Sequence, residues 1–184
     1  AGQLVNDGIP SVLFSLEMSA RSIMYRLISL LGKIELKKLF EAKNLSDSDF
    51  NEIENSLSLL SRSKFFIDDT SSLSPCEILS RSRKLKRENP DLGLIIIDYM
   101  QLMRADTRND NRVSEMNEIS RSLKALAKEI DVPVIALSQL NRAPETRTGK
   151  RPVLADLKDS GAIEQDADIV TFVFRAEKYE QDLE

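Results

Sequence analysis

The stretch Leu92-Gly93-Leu94-Ile95-Ile96-Ile97-Asp98 constrains this chain more than any other. Leu94 to Ile97 form an unbroken apolar run with no polar alternation. Such a run predicts a strand buried on both faces, as in a parallel sheet covered by helices. It ends abruptly in one carboxylate, Asp98. An acid at the C-terminal end of such a strand lies where open α/β sheets receive their ligands. Taken alone, Asp98 could equally end the strand or cap the next segment, so the rest of the chain must decide.

The flanking segments alternate between strand and helix patterns. Ser11 to Leu16 predicts a second buried strand, running straight into Glu17-Met18-Ser19. Ser19 can cap a helix from Ala20, with Ile23, Leu27, Leu30 and Leu31 at helical spacing and Gly32 at its end. Ala1 to Asp7 resembles the end of a helix, closed by Gly8 and Pro10. Ile34 to Lys43 predicts a short helix. Ser46-Asp47-Ser48-Asp49 starts another, carrying Phe50, Ile53, Leu57 and Leu60. Phe65 to Asp69 predicts a short strand. Ser74-Pro75-Cys76-Glu77 has a serine cap, proline at the first helical position and glutamate at the third. A long helix is expected from Val113, with Met116, Ile119, Leu123, Leu126 and Ile130 as its stripe. Pro133 to Leu137 predicts a buried strand, a short helix is expected around Gly161 to Gln165, and Asp168 to Phe174 predicts the last strand. This alternation implies an α/β fold with a mostly parallel sheet flanked by helices.

Composition removes several chemistries. The chain has 184 residues and no histidine, which excludes Ser-His-Asp catalysis and histidine metal sites. One cysteine, Cys76, excludes an internal disulfide and fits a reducing, cytoplasmic compartment. No apolar run approaches the length of a membrane span, and no signal peptide is visible. A net charge of −4 means that nucleic-acid binding would need local basic patches.

Glu17, Asp98 and Gln139 each stand just after a predicted buried strand. If those strands are parallel neighbours, all three point into one crevice. Nucleotide hydrolysis wants such a set. An aspartate holds magnesium, directly or through water. A glutamate orients or deprotonates the attacking water. An amide side chain contacts the γ-phosphate and reports its loss. A phosphate cradle of the form GxxxxGK[ST] is absent: the only Gly-Lys pair, Gly149-Lys150, is followed by arginine and preceded by no apolar strand. Either the protein is not a nucleotide hydrolase, or the cradle lies upstream of Ala1. Two polar loops, Arg104 to Arg112 and Asn141 to Pro152, carry arginines without interleaved aromatics, a pattern for phosphate contact rather than base stacking. Asp156 to Gly161 sets Lys158 in a small, flexible turn before a helix, another arrangement suited to phosphate.

The words FSLEMS (Phe14–Ser19), IDYMQLM (Ile97–Met103), IALSQLNR (Ile135–Arg142) and DLKDSGAIEQDAD (Asp156–Asp168) are in order and spacing similar to the motor domain of bacterial DnaB-type replicative DNA helicases. The resemblance implies a RecA-like core that uses ATP and Mg2+. It also implies a homo-hexameric ring that encircles single-stranded DNA and unwinds duplex 5′ to 3′, with a primase and a helicase loader as partners. By motif position, Glu17 corresponds to the catalytic glutamate, Asp98 to the magnesium-binding Walker B aspartate, and Gln139 to the γ-phosphate sensor. Lys158, Asp159 and Gly161 match the loop that holds DNA phosphates. The arginine-rich loops 104–112 and 142–151, the second of them beginning with Arg142, match the channel-facing loops more loosely.

The same resemblance places the Walker A segment before Ala1, the arginine finger after Glu184 and the primase-binding domain outside the chain as well. Residues 1–184 are therefore expected to be a motor domain truncated at both ends, hydrolysing ATP poorly or not at all alone. The whole protein is expected to be an ATP-dependent helicase. Two other readings stay open: a RadA- or RecA-like recombination or repair ATPase, and a non-enzymatic RecA-like scaffold module.

Overall fold

The computed structural model describes residues 2–106, 111–141, 151–157 and 161–175. Helix α1 (Gly2–Asn6) leads through Gly8, at φ +65°, into strand β1 (Ser11–Ser15). Helices α2 (Ala20–Leu31), α3 (Leu36–Glu41) and α4 (Asp47–Arg62) follow, then β2 (Phe65–Asp68), α5 (Pro75–Glu88) and β3 (Leu94–Asp98). A single 3-10 turn (Met100–Leu102), α6 (Arg112–Ile130), β4 (Val134–Ala136), a second 3-10 turn (Leu154–Asp156) and α7 (Gly161–Asp166) complete the described chain.

The four strands form one sheet in the order β2-β1-β3-β4, every pair parallel. Alternate side chains along β1 and β3 feed two cores, as the period of two requires. Val12, Phe14, Ile95 and Ile97 pack with Ile78 of α5 and Met116, Ile119 and Leu126 of α6. Leu13 and Ile96 face the other way, onto Ile23, Leu27, Leu39 and Leu60 of α2 to α4. The sheet is thus covered by helices on both faces, and β1 is buried throughout.

Local chemistry sets the helix starts. Ser19 accepts the Ser22 N–H, and both Ser46 with Asp49 and Ser74 with Glu77 form complete capping boxes. Gly32 caps α2, its N–H donating to the Ile28 carbonyl at 2.9 Å.

Two expectations need correction. Asp168 to Phe174 is not a strand: no described segment pairs with it, and Ile169 and Val173 stand 84% and 89% exposed. A β-rich composition makes a strand only where another strand offers its hydrogen bonds. The Pro133–Leu137 strand forms over Val134–Ala136, but it is the outermost described strand rather than a buried one, with Ile135 49% exposed. Three stripe residues, Leu30, Phe50 and Leu57, also face outward. Among the described residues no helix is long and apolar enough to cross a membrane.

Candidate functional site

The carboxyl edge of the sheet gathers the predicted polar residues because β1, β3 and β4 are adjacent and parallel. Ser15 lies in register with Asp98, and Ile97 with Ala136. Past the last pairs, the Leu16 N–H donates to the Asp98 carbonyl at 2.8 Å. The Leu137 N–H donates to the Ile97 carbonyl at 2.9 Å, and the Met100 N–H to the Leu137 carbonyl at 2.9 Å. The three strand ends are therefore tied to one another by main-chain bonds just where Glu17, Asp98 and Gln139 occur.

Glu17 is exposed on the turn between β1 and α2. That turn is shaped by the buried Ser15, whose hydroxyl donates to the Met18 carbonyl at 2.8 Å and accepts the Met18 N–H at 3.2 Å. The start of α2 is fixed from a third strand end: Asp69, just past β2, accepts the Ala20 N–H at 2.8 Å. Asp98 is half-buried. Burial pushes its carboxyl up from the ordinary value, and the negative charge of Glu17 pushes it the same way. No described residue donates a hydrogen bond to the Asp98 carboxylate.

A half-buried carboxylate with a second acid nearby and no donor of its own is poorly compensated by the protein. It suits a bound cation. Among the described residues no group of three or more acidic or sulfur side chains is arranged to hold a metal. One or two carboxylates beside substrate phosphates are the protein ligands that magnesium takes when it keeps most of its waters, and Asp98 with Glu17 nearby is a set of that kind.

Gln139 is exposed, three residues past β4. Its main chain is held by a residue that sequence reasoning did not single out. The Gln101 carboxamide accepts the Gln139 N–H at 3.2 Å and donates to the Gln139 carbonyl at 3.3 Å and to the Ser138 hydroxyl at 2.9 Å. Gln101 lies inside the IDYMQLM word, so the position was marked without its partner being legible. Asp69 was likewise included only as the end of a strand.

Beside the site, Arg81 of α5 donates to the Asp68 carboxylate and, at 2.8 Å, to the Thr70 hydroxyl. Burial works against the Asp68 charge, but the guanidinium and the Thr70 hydroxyl and N–H outweigh it and hold this carboxyl below the usual range. Glu77 accepts from its own cap residue and from Arg104 at 3.0 Å, pinning the segment that follows the 3-10 turn onto α5.

The predicted DNA-contacting residues are only partly described. Gly161 opens α7, is exposed, and has open space where a Cβ would stand. Arg142, Lys158 and Asp159 lie outside the described residues. The residues that precede two of them in sequence are paired: Leu140 bridges Leu157 in antiparallel fashion, and the Asn141 N–H donates to the Asp156 carbonyl at 2.9 Å. A cleft of about 530 Å³ lined by Arg83, Lys86, Arg87 and Glu129 sits at the C-terminal ends of α5 and α6 and includes none of the predicted site residues.

Known proteins resemble this chain in sequence and in fold. The model of the DnaB-like helicase C-terminal domain matches residues 2–184. The chain is similar to the replicative DNA helicase DnaB of Haemophilus influenzae (49% identity over 176 residues) and to that of Pasteurella multocida (50% over 176), covering 95% of this chain and 38% of each relative. It thus spans well under half the length of these curated relatives. Among solved structures, an ATPase domain superposes with a TM-score of 0.94 at 38% identity, over 99% of this chain and 65% of that one. A DnaB-like replicative helicase studied with primase superposes with a TM-score of 0.93 at 38% identity, over 98% of this chain and 44% of that one. With a family match along nearly its whole length and a helix-covered parallel sheet of the same shape, the chain belongs to the DnaB-like helicase C-terminal domain family.

Proposed function

We propose that this chain forms part of the ATP-hydrolysing motor of a bacterial, cytoplasmic replicative DNA helicase. The full protein would translocate 5′ to 3′ on single-stranded DNA as a homo-hexameric ring and unwind duplex at the fork. The observation that carries the reading is the convergence of Glu17, Asp98 and Gln139 at neighbouring parallel strand ends, in a chain of this family. The partners proposed for the whole protein are single-stranded DNA, a helicase loader and a primase; a primase is named with one of the similar structures.

The roles follow from the chemistry of each group. ATP is the substrate, and its phosphates would lie along the open edge of the sheet. Asp98 would hold a magnesium ion, directly or through water, and the ion would supply positive charge beside the phosphates. Glu17, exposed and without a bonding partner among the described residues, is free to orient and deprotonate the attacking water. Two carboxylates so placed divide the work, because only one of them is half-buried. Gln139 presents an amide that can donate to the γ-phosphate. Lys158 and Arg142 would supply charge to DNA phosphates, with Asp159 and Gly161 in the same DNA-contacting set. The Leu140–Leu157 bridge supports this grouping, because Arg142 and Lys158 follow it closely in sequence.

The test is single-stranded-DNA-stimulated ATPase activity of the full-length protein, with Glu17→Gln beside it. Turnover that the substitution abolishes while nucleotide binding persists is the expected result. A full-length protein that binds DNA yet never hydrolyses ATP would replace the motor with a scaffold. Strand pairing in place of unwinding of a fork with a 5′ tail would replace it with a recombination ATPase.

A further inference from the structure

Gln139 stands beyond the end of β4, where no strand hydrogen bonds reach it. Its N–H and its carbonyl are both taken by one side chain, the carboxamide of Gln101. The same carboxamide reaches the Ser138 hydroxyl at 2.9 Å. Gln101 itself sits in the 3-10 turn that begins two residues after Asp98. Its main-chain carbonyl accepts a hydrogen bond from Arg112, the first residue of α6. Arg112 is anchored a second time, to Glu115 at 2.7 Å. One residue therefore joins three things: the turn following Asp98, the peptide that bears the Gln139 side chain, and the start of α6.

We propose that Gln101 is a positioning residue that couples Gln139 to the N-terminus of α6. Its side chain fixes the peptide from which the Gln139 amide projects. Its carbonyl passes any displacement of that peptide to Arg112, and so to the first turn of α6. The alternative of a purely space-filling role predicts packing contacts without this pairing of both main-chain groups of one residue. A carboxamide is the side chain that supplies a donor and an acceptor side by side. This inference rests on the motor reading, because Gln139 matters for turnover only if it meets a nucleotide.

The experiment uses the full-length protein with Gln101→Met, which keeps length and volume but loses every side-chain hydrogen bond. Arg112→Ala is the second variant; it is exposed and leaves the Gln101–Gln139 pairing in place. Amide hydrogen exchange of residues 138–141 is read alongside steady-state ATPase with single-stranded DNA. Gln101→Met should speed exchange over 138–141 and lower kcat with DNA about tenfold, while KM for ATP changes less than about twofold. Arg112→Ala should lower kcat with DNA comparably and leave exchange at Gln139 unchanged. Unchanged exchange in Gln101→Met would overturn the positioning role whatever the activity. Matching losses in kcat, KM and melting temperature would overturn it in favour of a merely structural role. Wild-type protein without DNA-stimulated turnover would overturn the motor reading itself, and the coupling with it. Normal wild-type turnover with both variants unaffected would overturn the coupling alone.

Discussion

Ser15 and Asp98 face each other in register on adjacent parallel strands, and the buried Ser15 hydroxyl closes the turn that carries Glu17. One serine thereby sets where the exposed acid stands relative to the half-buried one. Ser15→Ala would leave the Met18 N–H and carbonyl without this partner. A stability loss of about 1–2 kcal/mol is expected, with a larger relative fall in kcat than in ATP affinity. Thermal melts beside ATPase kinetics in the full-length protein check both, and unaltered kcat would separate Glu17 placement from this turn.

Asp98 carries a cost that its neutral analogue does not. Burial and Glu17 both raise its carboxyl above the ordinary value. For an acid whose folded pKa is raised, the ionised form is disfavoured by folding, so the penalty is full above the folded pKa. It fades as pH falls through that value toward the unfolded one, about 3.9. Asp98→Asn should therefore melt at a higher temperature than the wild type near pH 7, and the gap should close toward pH 4. Turnover should be lost at every pH. A variant less stable than the wild type at neutral pH would mean that the carboxylate has partners which the geometry does not provide.

The Asp68–Arg81 pair has the opposite sign. Arg81 and Thr70 hold the Asp68 carboxyl below its usual range against the effect of burial. Its contribution is present above the unfolded pKa, about 3.9, and disappears as pH falls through the lower folded value. The Arg81 and Asp68 side chains are partly exposed, at 38% and 24% respectively, so screening keeps the contribution to about 1 kcal/mol at most. Arg81→Ala should lower the unfolding free energy from denaturant titration by that amount at pH 7 and by much less below pH 3. Equal losses at both pH values would point to lost packing of the arginine stem instead.

Much of this architecture was readable where the governing chemistry is local. The capping boxes at Ser46 and Ser74 need only residues three apart, and both form. The run ending in Asp98 needs only its own composition, and its end lands at the carboxyl edge of the sheet. Glu17 and Gln139 were legible for the same reason, as polar residues directly after apolar runs. Long-range pairings were not. The hold of Gln101 on Gln139 spans 38 residues, and that of Asp69 on Ala20 spans 49. No spacing rule reports a carboxamide lying against a distant peptide. Asp168 to Phe174 misled for the converse reason: a strand exists only with its neighbour, which composition does not name.

Helical spacing also told which face of a helix is apolar better than how far burial extends around it. Ile97 and Leu30 were both placed in buried positions by pattern, yet Ile97 is 0% exposed and Leu30 63%. Ile97 packs inside the cluster that joins the sheet to α5 and α6, one residue before Asp98. Ile97→Ala should cost about 2–5 kcal/mol, because the rigid strand cannot collapse into the space left. Leu30→Ala, at the outward side of α2, should stay within about 0.5 kcal/mol. Urea denaturation of the two variants decides the matter. The outcome at Leu30 is the sharper one, since a loss above 1 kcal/mol there would mean that this exposed leucine is covered in the full-length protein by another segment or another copy.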